Sequence, residues 1–134
     1  MPFFHAFAVP LALTSAIRDG ATTIVLPRFE KSDYLRLLHE YQVTETTVVP
    51  PLLLAFLSYS PEEQQMLKSL KLAWCAGAPL DPAIQNRACQ LFGEKARIAQ
   101  VWGMTEAGWI STFRHPESDV SGAVGRLLPG YELK

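Results

Sequence analysis

Apolar and polar positions along the chain change their period repeatedly, and each change marks an element. Residues 22–26 are short and β-branched, and Pro27 closes them, so they read as a strand. Tyr34, Leu35, Leu38 and Tyr41 recur at helical spacing behind Ser32 or Asp33, either of which can cap a helix. Residues 46–49 form a second strand that Pro50 ends. Pro51 suits the first turn of the next helix, and residues 52–57 are apolar on every side, which predicts a buried helix. Ser60-Pro61-Glu62-Glu63 has the form of a capping box with proline at the first helical position. Residues 72–75 and 97–101 supply two more strands. Between them Asp81-Pro82 opens a helix with Ile84, Ala88, Leu91 and Phe92 on one face, and Gly93 stops it. Residues 109–113 look like a strand and 118–122 like a loop.

The order strand, helix, strand predicts βαβ units and a mostly parallel sheet, so the fold class expected is α/β in one unit. Residues 3–17 need a separate decision, because they are almost uncharged. A signal-peptide core would look similar, but no Lys or Arg precedes them, and His5 and Pro10 interrupt them. The preferred reading is a buried helix over about residues 9–18 that Gly20 ends.

Composition narrows the classes. A chain of 134 residues is long enough for one domain with a core of its own. The formal charge of −1 argues against nucleic acid held by bulk electrostatics. No apolar run is long enough to span a membrane. Cys75 and Cys89 show no Cys-x-x-Cys spacing and no His cluster beside them; a disulfide is one reading, and the preferred one is two reduced core thiols of an intracellular protein.

In open α/β sheets, ligands gather at the carboxyl ends of the strands. Two stretches fall there. After one strand come Ala76, Gly77, Ala78 and Pro79, small enough to let a flat ring lie against the backbone. After the next come Trp102, Gly103, Thr105 and Glu106, which offer a ring that can stack, a turn, a hydroxyl that can reach phosphate and a carboxylate that can hold Mg²⁺. Read without the other stretch, each is also compatible with an ordinary turn or a capped loop. His5, between Phe4 and Phe7, reads as a ligand-facing residue or as a hydrogen-bonded core histidine. His39 belongs on a solvated helix edge, His115 in a loop.

Five segments in order resemble the adenylate-forming superfamily, and most closely its 4-coumarate–CoA ligase-like acyl-CoA ligases. Pro2-Phe3-Phe4-His5-Ala6-Phe7-Ala8 is similar to the family's P-x-F-H segment, Val49-Pro50-Pro51 to V-P-P, and Cys75-Ala76-Gly77-Ala78-Pro79-Leu80 to S-G-A-A-P-L. Gln100-Val101-Trp102-Gly103-Met104-Thr105-Glu106-Ala107-Gly108 resembles the Y-G-x-T-E motif, and residues 122–130 resemble G-S-V-G-R-P-x-P-G. The resemblance implies that Gly77, Ala78 and Pro79 meet the adenine of ATP or AMP, with Gly103 beside it; Gln100 reads as a nucleotide contact or as a side chain that satisfies buried backbone. It also implies that Trp102 stacks where the family has Tyr, that Thr105 binds the α-phosphate and that Glu106 helps hold Mg²⁺. His5 and Val101 are implied to line the pocket for a carboxylic acid, Val101 narrowing its floor where related ligases often carry Gly. Arg126 falls in a motif read as structural. CoA is the implied acyl acceptor, and a cytoplasmic or peroxisomal location is implied by the parent family.

Neither a G-x-x-x-x-G-K nor a T-S-G-T-T-G-like run occurs in these residues. The family needs such a loop for the ATP β- and γ-phosphates, and a catalytic lysine from a small C-terminal domain. The expectation is therefore a partial AMP-binding domain over residues 1–134, inactive alone, with exposed apolar surface that favours self-association. The other reading is a non-catalytic binding or interaction protein that keeps a nucleotide and acyl half-site.

Overall fold

The computed structural model describes residues 2–134. Its centre is a five-stranded sheet in sequential order, built from β1 (Glu45–Val48), β2 (Leu72–Cys75), β3 (Arg97–Met104), β4 (Gly108–Thr112) and β5 (Arg126–Leu127). The α/β class and the βαβ crossovers hold: β1, β2 and β3 pair in parallel, with Val48 opposite Cys75 and Cys75 opposite Gln100. The second half is antiparallel. β3 turns back on itself through residues 105–107 into β4, and β4 pairs with β5, so the sheet is mixed.

The helices follow from local chemistry. α1 (Ala16–Asp19) continues a widened π-type turn at Val9–Ser15 and ends at Gly20, whose φ of 65° supplies the left-handed cap. The helix is where residues 9–18 predicted it, but no residue in it is buried and Ile17 is 81% exposed. Residues 22–26 form no strand: they carry no ladder pairing and are mostly exposed. α2 (Lys31–Glu40) buries Tyr34, Leu35 and Leu38, while Tyr41 is exposed. It starts earlier than Ser32 or Asp33 would have it, after Glu30, and no side chain caps it.

α3 (Pro50–Leu57) buries Leu53 and Phe56 completely, yet Leu54 is 48% exposed, so only one stripe of this all-apolar helix finds a partner. α4 (Pro61–Gln65) has the predicted capping box in full. Glu63 N–H donates to Ser60 Oγ, and Ser60 N–H donates to Glu63 Oε2. α5 (Pro82–Cys89) is capped by Asp81, which accepts from the amides of Ala83 and Ile84. It stops before Leu91 and Phe92, which belong to the following turn.

The helices place their apolar residues on one face of the parallel strands. Val48, Ala73, Cys75 and Ile98 from the sheet join Tyr34, Leu35, Leu53, Phe56, Leu67, Leu70, Ala88 and Phe92 in one core. Phe56 is its hub, with ring centroids of Tyr34, Tyr59 and Phe92 at 6.1, 5.5 and 6.2 Å. Burial pushes both the Cys75 thiol and the Tyr34 hydroxyl up to about 12. Both cysteines are free, Cys75 buried and Cys89 donating to the Ala96 carbonyl at 2.9 Å.

Candidate active site

Side chains alternate between the faces of a strand, so β3 serves two faces at once. Gln100 and Trp102 point to one side. Ala99, which pairs with Trp74, and Val101 point to the other. The two stretches singled out in the sequence lie next to each other because β2 and β3 are parallel neighbours whose carboxyl ends share an edge.

On the first face, the loop of Ala76 to Pro79 leaves β2 with Gly77 at φ 94°, a backbone that side chains rarely adopt. Gly77, Ala78 and Pro79 are exposed. The loop returns to β3 through Leu80, whose amide donates to Gln100 Oε1 at 3.3 Å. That bond fixes the Gln100 amide with its Nε2 pointing elsewhere, and this buried donor has no hydrogen-bond partner. Trp102, two residues further on, is 37% exposed. A cleft of about 350 Å³ lies against its ring, lined also by Ser111, Val124, Gly125, Leu127 and Leu133.

Trp102, Gly103 and Met104 were expected in a loop that leads to a helix, but they extend β3 itself. The chain then reverses at Thr105, Glu106 and Ala107 into β4. The hairpin is tight because Gly103 has no side chain: a Cβ there would stand 2.3 Å from the Gly108 carbonyl oxygen. Ala107 N–H donates to the Met104 carbonyl at 3.2 Å, and Tyr131 Oη donates to the Ala107 carbonyl, which pins the tip from outside. Thr105 and Glu106 are exposed on this tip.

These features suit a nucleotide. The exposed loop of small residues follows β2, the accessible Trp102 indole and the unpartnered buried amide nitrogen of Gln100 lie on the neighbouring β3, and the exposed Thr105 hydroxyl and Glu106 carboxylate follow in the hairpin. Among the described residues no group of three His, Cys, Asp or Glu side chains is placed to hold a metal. A single carboxylate at Glu106 fits Mg²⁺ that arrives with phosphates, since this ion keeps its waters and takes one or two protein carboxylates.

On the second face, Val101 is buried, and the turn of residues 2–8 packs nearby through Phe7. The Phe7 ring meets that of Trp109 at 5.6 Å, and Trp109 meets Trp74 at 5.2 Å. His5 is not a core histidine: it is exposed, and its Nδ1 accepts the Phe7 amide at 3.1 Å. Phe3, Phe7, Ala8, Leu11 and Trp74 line one side of an open groove of about 1400 Å³, which runs on to Val49 and Leu52. Neither His5 nor Val101 is among its lining residues. Arg126, read as structural, forms an ion pair with Glu117 at 3.2 Å, away from both stretches. His39 is exposed on α2, and His115 is exposed in a loop.

The sequence reading missed Trp74 and Trp109 as part of this face. A tryptophan two residues from Ala76 and another just after the Thr-Glu turn were the available signals.

The AMP-binding enzyme family matches residues 1–134, and the chain belongs to it. Its relatives are acyl-CoA ligases. It is 47% identical to phenylacetyl-CoA ligase epaB of Aspergillus niger over all of this chain and 25% of that protein. It is 32% identical to 4-coumarate–CoA ligase 4 of Arabidopsis thaliana over all of this chain and 24% of that protein. Among solved structures, the anthranilate CoA ligase AuaEII in complex with anthranoyl-AMP superposes with a TM-score of 0.84, at 24% identity, over 98% of this chain and 26% of that one. The chain thus spans about a quarter of the length of the curated relatives it matches.

Proposed function

We propose that these residues form the nucleotide-and-acid half-site of an ATP-dependent acyl-CoA ligase. In that reaction a carboxylate attacks the α-phosphorus of ATP, pyrophosphate leaves, and the acyl-adenylate formed then passes its acyl group to the CoA thiol with release of AMP. The observation that carries the proposal is the two-faced end of β3. Gln100 and Trp102 point to one face, where Gln100 accepts from the Leu80 amide at the end of the small-residue loop, and Val101 points to the other, the face of Ala99 and its partner Trp74. Adenine on the first face and an acyl chain on the second would meet at the strand's end, where Thr105 would hold the α-phosphate.

Each residue has a defined task in this reading. Gly77, Ala78 and Pro79 leave the backbone bare for one face of adenine, and Trp102 covers the other. Gln100 Nε2 supplies a buried donor that gains a partner on binding. Glu106 would hold Mg²⁺, which would offset phosphate charge. His5 is exposed with its Nδ1 engaged by the Phe7 amide, so Nε2 is the ring nitrogen that would face the acid. The aromatic lining and the phenylacetyl-CoA ligase relative together favour an aryl or arylalkyl acid. An intracellular site of action accompanies this proposal.

Residues 1–134 hold one part of an AMP-binding domain in this reading, and they contain no phosphate-loop pattern. A second reading is that these residues bind nucleotide and acid without turnover. AMP titrated calorimetrically against the 134-residue chain tests the half-site: saturable binding weakened about tenfold in Trp102→Ala is expected, and no binding by a folded chain would refute it. Carboxylate-dependent ATP–pyrophosphate exchange by the same chain is expected to be absent, and its appearance would remove the second reading.

A further inference from the structure

Trp109 has no task in the roles above, yet its contacts join the N-terminal turn to the hairpin. It sits on β4, paired with Gly103 across the hairpin that carries Trp102, Thr105 and Glu106. Its ring stands between Trp74 at 5.2 Å and Phe7 at 5.6 Å. Its indole N–H donates to the Phe7 carbonyl at 3.2 Å, across 102 residues of chain. Among the described residues no other hydrogen bond joins residues 2–20 to the sheet.

The segment so held has little else to hold it. Only Phe7 and Ala8 are buried within it, while Phe4 is 87% exposed and Ile17 81%. Phe7 in turn fixes His5, because the Phe7 N–H donates to His5 Nδ1 at 3.1 Å and the Ala8 N–H to the His5 carbonyl at 2.8 Å. A single chain of contacts therefore runs from the hairpin through Trp109 and Phe7 to His5. We propose that Trp109 is a positioning residue, which ties the acid-facing turn of His5 and Phe7 to the nucleotide-facing hairpin and holds them at a fixed separation. What is positioned rests on the function proposed above; the tie itself does not.

The test uses the 134-residue chain with Trp109→Phe and Trp109→Ala. Trp109→Phe keeps an aromatic ring against Phe7 and Trp74 but removes the N–H, so it isolates the hydrogen bond. Amide exchange at Phe7, Ala8 and Val9 should quicken by about fivefold in Trp109→Phe, the equivalent of one hydrogen bond, and further in Trp109→Ala. Exchange at Ala73 and Cys75 should stay as in the parent chain. By calorimetry, phenylacetate should bind more weakly to Trp109→Phe while AMP binds as before, a split that general loosening of the fold would not give. Unchanged exchange at residues 7–9 in Trp109→Phe would overturn the tie, and equal weakening of phenylacetate and AMP would overturn the positioning role. If the parent chain binds neither ligand but the exchange result holds, the function proposed above fails and the tie stands. Should Trp109→Ala not fold, Trp109→Phe alone decides.

Discussion

The two halves of the sheet are held by different physics. In the parallel half, β1, β2 and the start of β3 bury their helix-facing side chains under α2, α3 and α5, and Leu53, Phe56, Ala73 and Ala88 are wholly inaccessible. In the antiparallel half β4 still buries Ile110, Ser111 and Thr112, but the exposed end of the hairpin, residues 102–106, is held by backbone pairing, by the bare Cα of Gly103 and by a few polar contacts such as Trp109 to Phe7 and Tyr131 to Ala107. Burial is strong and indifferent to direction, so it can supply a platform. Backbone pairing around a glycine is weak but directional, so it can aim a hydroxyl and a carboxylate. The candidate site lies where the two meet.

This division is sharpest within α3. Phe56→Ala removes the hub of the core and should cost about 3–5 kcal/mol of unfolding free energy, measured by urea denaturation. Leu54→Ala, two residues away and 48% exposed, should cost less than about 1 kcal/mol. Equal costs for the two would mean that the core is not organised as described.

A second break targets the hairpin. At Gly103→Ala the added Cβ would meet the Gly108 carbonyl oxygen at 2.3 Å and the Trp109 Cα at 3.1 Å, both backbone atoms of the opposing strand. The strands must part, at a cost of about 1–3 kcal/mol. AMP binding should disappear while far-UV circular dichroism of the helices persists. Retention of AMP affinity in Gly103→Ala would detach the hairpin from the proposed site.

How much of this was legible in the sequence follows the same line. The Ser60–Glu63 capping box, the Asp81 cap and the strands at residues 72–75 and 97–101 were readable because their causes are local: a side chain that reaches its own amides, or a short apolar run beside a breaker. The stretch at residues 22–26 was misread as a strand because a strand also needs a partner, which composition does not show. The exposure of Ile17 and Leu54 was hidden for a related reason, since apolar character says what a face prefers and not whether anything covers it. The hairpin after Trp102 was expected as a loop because Thr105 and Glu106 carry no strand signal. Its return depends on the fit of Gly103 against Gly108, which a one-dimensional pattern does not record. The Trp109–Phe7 contact is furthest from local rules, since its partners lie at opposite ends of the chain.

A third test uses pH to probe the buried half. Burial raises Cys75 and Tyr34, both to about 12 from ordinary values of 9.0 and 10.0. Below the ordinary values both groups are neutral whether the chain is folded or not. Above them the unfolded chain ionises while the folded chain does not, so stability is lost as pH rises from about 9 towards 12. The loss per pH unit approaches about 1.4 kcal/mol for each group. Cys75→Ala should remove the earlier part of this decline, seen as a flatter plot of Tm against pH between 9 and 10. An unchanged plot would place the thiol in contact with water.

The smallest expected effect on stability is the most telling for function. Trp102 projects from the exposed end of β3 with 37% of its surface accessible, outside the packed core. Trp102→Ala should therefore shift unfolding free energy by less than about 1 kcal/mol, in line with a half-exposed position. The same change should weaken AMP by about 1–1.5 kcal/mol, close to tenfold, if the indole covers adenine. Phe56→Ala should do the opposite, lowering stability sharply while any chain that remains folded binds AMP as before. A large loss of stability in Trp102→Ala would make that indole part of the platform, and the proposed separation between a buried support and an aimed hairpin would fail at the residue on which it depends most.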